Sequence, residues 1–169
     1  MRANKFTAAV VLAAIAAIGF APLANAAVRP TTAQKLQLQY LIEEEKLARD
    51  VYLYLAANVT TAKFSNIAKS EQTHMDQIAA VLKTYNYFNP TTTRAAGVFR
   101  DKSLQALYNT LIAQGSVDVA AAMQVGRDIE NLDIKDLQVM LKSTMPADMK
   151  LALDNLLKGS YNHLAAFNR

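Results

Sequence analysis

Six ionisable residues interrupt the apolar stripes of this chain where hydrophobic side chains are expected. Glu45 falls in the series Leu41, Glu45, Ala48, Tyr52, and Glu71 and His74 continue Phe64 and Ile67. Glu130 and Asp133 lie between Met123 and Leu137, and His163 lies between Leu156 and Phe167. A buried polar residue is more informative than a buried leucine. A carboxylate taken out of water must be paired, protonated or bound to a cation. Glu71 and His74 are three apart, which puts both on one helix face one turn apart, a spacing suited to holding a single ion. The chain has only two histidines, and both fall on these stripes. Carboxylate and imidazole together suit Fe, Mn or Zn better than Ca or Mg.

Other readings of the same residues stay open from the pattern alone. Glu71 would be a surface residue if its stripe were slightly rotated. His163, near the C-terminus, would suit a helix dipole. Glu43-Glu44-Glu45 reads equally as a solvated acidic run in which Glu45 pairs with Arg49 at i,i+4, and Asp128, Asp133 and Asp136 would then face water. Periodicity does not separate Glu44 from Glu45, because the segment around them is apolar over a wide arc.

The elements that must position these residues are helical. Thr31 or Thr32 offers an N-cap for a helix from about Ala33 to Asn58, with Leu38, Leu41, Ala48, Tyr52 and Leu55 at three- and four-residue steps. A Thr60-Thr61 turn precedes a second helix, about Lys63 to Tyr85. Asn89-Pro90-Thr91-Thr92-Thr93 breaks the pattern. A short helix from about Ser103 to Gln114 ends at Gly115, a good C-terminal residue. Ser116 is available as the next cap and Asp118 suits the first turn of a helix reaching about Lys142. The last helix spans about Ala147 to Phe167. No strand pattern or repeat is present. Four long amphipathic helices and a short one make an all-α four-helix bundle, with two hairpins and the short helix in the crossover connection between them.

The chain has 169 residues. Arg2 and Lys5, the apolar run Phe6 to Leu23 and Ala24-Asn25-Ala26 read as a secretory signal peptide over residues 1–26, cleaved after Ala26. Residues 27–169 then form one domain, with a periplasmic or secreted location and no stable membrane span after cleavage. Of the 18 Lys and Arg, Arg2 and Lys5 leave with the leader, so the remainder nearly balances the 14 acidic residues. No basic stripe points to nucleic acid. The absence of cysteine excludes disulfides, thiolate metal sites and iron–sulfur clusters.

Glu43 to Tyr52 (EEEKLARDVY), Ser70 to Asp76 (SEQTHMD), Gly126 to Leu137 (GRDIENLDIKDL) and Gly159 to Leu164 (GSYNHL) resemble the DUF2202 family of ferritin-like proteins, in order and over nearly all of residues 27–169. The resemblance implies a ferritin-like bundle, in the superfamily of rubrerythrin, ferritin and bacterioferritin. Glu45-x-x-Ala48-Arg49-x-x-Tyr52 looks like the first rubrerythrin helix, whose Glu is a metal ligand, and this favours Glu45 over Glu44. Glu71-x-x-His74 resembles the second-helix ligand pair, Glu130-x-x-Asp133 the third-helix Glu-x-x-Glu with a shorter acid, and His163 the final-helix His. The implied ligands are therefore Glu45, Glu71, His74, Glu130, Asp133 and His163, with Tyr52 a nearby hydrogen-bond donor.

The chain departs from that pattern at Ser160, which stands where the last helix would carry its Glu. One ion, two held asymmetrically, or redox-silent Zn all fit this ligand set. The resemblance favours iron, with Mn or Zn as alternatives, and implies Fe(II) oxidase or peroxidase-like chemistry, but the electron donor is not identified and no rubredoxin-like Cys module is present. A homodimer is compatible with it. The alternative is a non-enzymatic helical binding or stress-related envelope protein with a metal-free Glu–His network, so whether the chain is an enzyme stays open.

Overall fold

The computed structural model describes residues 28–59 and 61–169; the leader and its cleavage site lie outside the described residues. Five helices follow: α1 Thr32–Asn58, α2 Ala62–Thr84, α3 Lys102–Gly115, α4 Val119–Met140 and α5 Ala147–Phe167. The ends are set by side chains that satisfy the first free backbone N–H groups. Thr31 and Gln34 form a reciprocal capping box, the Gln34 N–H donating to Thr31 Oγ1 at 3.2 Å and the Thr31 N–H to Gln34 Oε1 at 2.9 Å. Gln34 Nε2 also donates to the Thr144 carbonyl at 2.9 Å, tying the start of α1 to the α4–α5 connection. Thr61 caps α2 and Asp101 caps α3. Asp118, not Ser116, caps α4, accepting from the Ala121 N–H. Gly115 closes α3 from inside the helix, packed on Leu55 and Val125.

The long helices pack in the cyclic order α1, α2, α5, α4, and α3 lies outside against α1 and α4. Two apolar cores fill the bundle. One gathers Leu47, Val51, Tyr52, Leu55, Phe64, Ile67, Val125, Ile129 and Phe167, with Phe99, Leu104 and Leu111 from the crossover. The other gathers Leu38, Leu41, Ile42, Met75, Ile78, Leu82, Leu137, Met140, Met149, Leu153 and Leu156. Along α1 and α5 the chain passes from the second core to the first, and along α2 and α4 from the first to the second. Neighbouring long helices are therefore antiparallel. The crossover must run the length of the bundle to join α2 to α4, and this is the connection that the short helix interrupts.

The crossover is fastened to α1 by charged groups. Glu43, Lys46 and Asp50 share one stripe of α1 and are 3 %, 1 % and 2 % exposed. Glu43 accepts from the Arg100 and Asp101 N–H groups at 2.5 and 3.2 Å. Lys46 Nζ donates to Asp50 Oδ2 at 2.5 Å and to the Ala95 carbonyl at 2.9 Å, over the Phe99 ring. Asp50 also accepts from the Gly97 N–H at 2.9 Å. Gly97 has φ +71°, and a Cβ there would press on the Tyr108 ring, so glycine is required twice over. The acidic run Glu43 to Glu45 is thus buried, not solvated. Arg49 does not pair with Glu45; it donates to Asp50 at 2.7 and 2.9 Å and to Gln72 at 2.5 Å. Burial of α1 on nearly all sides explains both differences.

Candidate metal centre

Between the two cores lies a layer of polar side chains supplied by all four long helices: Glu44, Glu45, Glu71, His74, Glu130, Asp133, Ser160 and His163, each no more than 8 % exposed. In every long helix these residues fall where the chain leaves one core and enters the other, so the antiparallel packing brings them to one level. A surface cavity of about 780 Å³ lies elsewhere, on the α1–crossover face beside Glu43 and Arg100.

Five of the residues expected from the sequence meet in two triads, Glu45–Glu71–His74 and Glu71–Glu130–His163, with each triad's candidate donor atoms within 4.8 Å of one another. Glu71 belongs to both. Its Oε2 lies 2.8 Å from His74 Nδ1 and its Oε1 2.8 Å from His163 Nδ1. His74 Nδ1 is also 3.1 Å from Glu45 Oε2, and His163 Nδ1 is 3.5 Å from Glu130 Oε2. The two imidazoles stack with centroids 5.4 Å apart.

Several of these atoms approach without aligning for hydrogen bonds. Glu45 Oε1, Glu71 Oε1 and His163 Nδ1 are buried and have no hydrogen-bond partner, although Glu71 Oε1 and His163 Nδ1 are near one another. Unsatisfied buried acceptors are costly, and here they converge from different helices. The donor set, imidazole nitrogen with carboxylate oxygen, fits a transition-metal ion of the Fe, Mn or Zn type.

Neighbouring groups hold this arrangement. Tyr52, fully buried, donates its hydroxyl to Glu130 Oε1 at 2.6 Å. His163 Nε2 is 2.9 Å from Ser70 Oγ, which orients the ring with Nδ1 toward Glu71. Gly159 lets α5 close against His74: a Cβ there would lie 2.6 Å from His74 Cε1 and nearer still to Nε2. Neither Ser70 nor Gly159 was expected to take part. A glycine in a helix interior costs about 1 kcal/mol relative to alanine, and that cost is the one sequence signal that marks Gly159.

Asp133 does not join either triad. It is buried, not facing water, and Ser160 Oγ donates to its Oδ2 while also reaching the Leu156 carbonyl at 2.9 Å. The serine in the position of the expected fourth-helix acid thus holds the shorter acid of α4. Glu44, next to Glu45, points to another face, and neither of its oxygens has a partner.

The electrostatics follow from crowding five carboxylates and two histidines into one layer. Burial would lower His74, but the hydrogen bonds and charges of Glu45 and Glu71 outweigh it and raise the group to about 11. Burial would lower His163 too, but the close Glu130 and Glu71 carboxylates raise it to about 9. Glu71, against its own burial, is drawn down to about 2 by the two histidines. Burial pushes Glu45 up to about 8 and Glu130 to about 7. Without metal, then, protons held on the two histidines and on Glu45 offset buried negative charge in the layer. Cation binding must displace those protons.

An antiparallel four-helix bundle with a long crossover and Glu/His triads in its interior is the ferritin-like class. The chain belongs to the DUF2202 family, an uncharacterized protein domain, which matches residues 34–169. It is 45% identical over 127 residues to the uncharacterized protein MJ0754 of Methanocaldococcus jannaschii, covering 75% of this chain and 69% of that protein. The crystal structure of hypothetical protein MJ0754 from Methanococcus jannaschii superposes with a TM-score of 0.80 at 42% identity, over 82% of this chain and 79% of that one. No described helix is long and apolar enough to cross a membrane.

Proposed function

We propose that this protein is an exported metalloprotein whose buried layer binds a transition-metal ion, or an asymmetric pair of ions, with Glu45, Glu71, His74, Glu130 and His163 as ligands. The observation that carries the reading is Glu71, whose two oxygens each lie 2.8 Å from a different histidine. A carboxylate so placed can serve both triads at once. Iron is the preferred ion, with Mn or Zn as alternatives; when bound, iron would supply one-electron chemistry toward dioxygen or peroxide. The protein's own part is to exclude water, to hold Glu130 through Tyr52 and His163 through Ser70, and to release protons from the histidines as the cation enters. Asp133, held by Ser160, supports this layer from beside it. Export is supported by the leader pattern of residues 1–26 and by a family match that begins beyond it.

Substituting Glu71 and His74 together by Ala, followed by elemental analysis of protein from the periplasmic fraction, tests the reading. Metal present in the natural protein and lost from the variant is the expected result; unchanged metal content removes the proposal. The second reading is a metal-free Glu–His ion-pair network in a non-enzymatic envelope protein. It is favoured by Ser160 in place of an acid and by the strong mutual stabilisation of Glu71 and the two histidines. Natural protein that stays metal-free after anaerobic Fe(II) loading would establish it.

A further inference from the structure

Glu44 has no role in either triad or in the crossover latch, yet it is 4 % exposed and neither carboxylate oxygen has a partner. It lines a cavity of about 370 Å³ between α1 and α4, which also touches Leu36, Tyr40, Leu41, Asp136 and Met140. No basic side chain lines that cavity. Its walls are mostly apolar, and low-dielectric walls concentrate the field of the charges they enclose. Asp136 is half-buried at the same cavity, and Glu44 also borders a smaller one of about 60 Å³ beside Asp128 and Leu132.

Asp133, in the buried Glu/His layer, stands one turn before Asp136 on α4. Its Oδ1 is buried without a partner, while Ser160 holds its Oδ2.

We propose that Glu44 and Asp136, which line the α1–α4 cavity, form a loading site for divalent cations, from which the ion passes to the Glu/His layer that holds Glu45, next to Glu44, and Asp133, one turn from Asp136. All-oxygen ligation suits a hard, partly hydrated divalent ion that must be released again. The imidazole-containing triads bind it more tightly and end the path. This inference rests on the metal-centre reading above.

Co(II) is the probe, because its visible absorption reports arrival among nitrogen and oxygen ligands. The full chain, stripped by chelation, is mixed with Co(II) in a stopped-flow instrument, and bound metal is counted after equilibration. Glu44→Gln should slow the rise of the band by about tenfold or more, the size of effect that focused charge has on association, with the final stoichiometry unchanged. Asp136→Asn, at a half-exposed position, should slow it less and serves if Glu44→Gln folds poorly. Loading of both variants at the natural rate would overturn the proposal. So would a loss of stoichiometry in Glu44→Gln, which would put Glu44 in the centre itself. If the natural chain shows no Co(II) band, the metal-centre reading fails and this proposal with it, an outcome distinct from both others.

Discussion

Gly159→Ala tests the packing of the centre with one methyl group. At an interior position of α5 the change should stabilise the helix by about 1 kcal/mol. The methyl, however, would lie 2.6 Å from His74 Cε1 and nearer to Nε2. The ring has no free direction: its Nδ1 is engaged by Glu45 and Glu71, and the His163 ring stacks 5.4 Å away. Overpacking of this kind costs about 1–3 kcal/mol, and each charged hydrogen bond lost adds roughly 1.5–3 kcal/mol. With one such bond lost the clash outweighs the helix gain, and the chelated variant should be less stable by roughly 1.5–5 kcal/mol in urea unfolding. Its affinity for metal at the Glu45–Glu71–His74 triad should fall about 10–100-fold, the usual cost of disturbing a ligand's support. The same methyl placed in a His74→Ala background should instead stabilise by about 1 kcal/mol, since nothing remains for it to strike. A single Gly159→Ala variant that is more stable than the natural chain and binds metal normally would refute the reasoning.

Three further outcomes are expected. In the chelated protein, histidines raised to about 11 and 9 contribute stability that is complete below their unfolded value of 6.5 and is lost as pH rises through those figures. Glu45, raised from 4.5 to about 8, also makes the fold weaker as pH climbs through that interval, whereas Glu71, lowered to about 2, loses its contribution only in strong acid. Thermal melts should therefore show higher stability near pH 6 than near pH 9, and metal-loaded protein should show the reverse trend. Tyr52→Phe removes the 2.6 Å bond to Glu130; urea unfolding of the chelated variant should show a loss of about 1.5–3 kcal/mol, with weaker metal binding by titration. Asp50→Ala strands the buried Lys46 ammonium and frees Gly97; it should cost about 3–5 kcal/mol by urea unfolding, with faster proteolysis in the crossover.

The helices were legible because their apolar stripes and caps are local, and all four long ones stand within a residue or two of their expected ends. The capping of α4 by Asp118 was not, because Ser116 and Asp118 offer the same chemistry two residues apart and only the path of the chain decides. Glu45, Glu71, His74, Glu130 and His163 could be picked out as polar residues on apolar stripes. The choice between Glu44 and Glu45 needed a family resemblance, because both are buried, on different faces of a helix enclosed on nearly every side. The same enclosure hid the latch. Glu43, Lys46 and Asp50 read as surface charges until the crossover is seen to lie on them. Their spacing, one stripe of opposite charges next to a glycine-bearing loop, was the only available sign. Ser70 and Gly159 act across helices, and no single-helix pattern can show that.

The polar layer divides the hydrophobic interior into two pieces that share helices but few apolar contacts. Each piece has its own aromatic or aliphatic packing and its own pair of chain reversals. A cation held by α1, α2, α4 and α5 at that level would act as a rivet through the waist of the molecule. It would join two cooperative units into one, so that opening either end of the bundle would require releasing the ion. Metal availability would then govern how long the protein survives, whatever chemistry the ion performs.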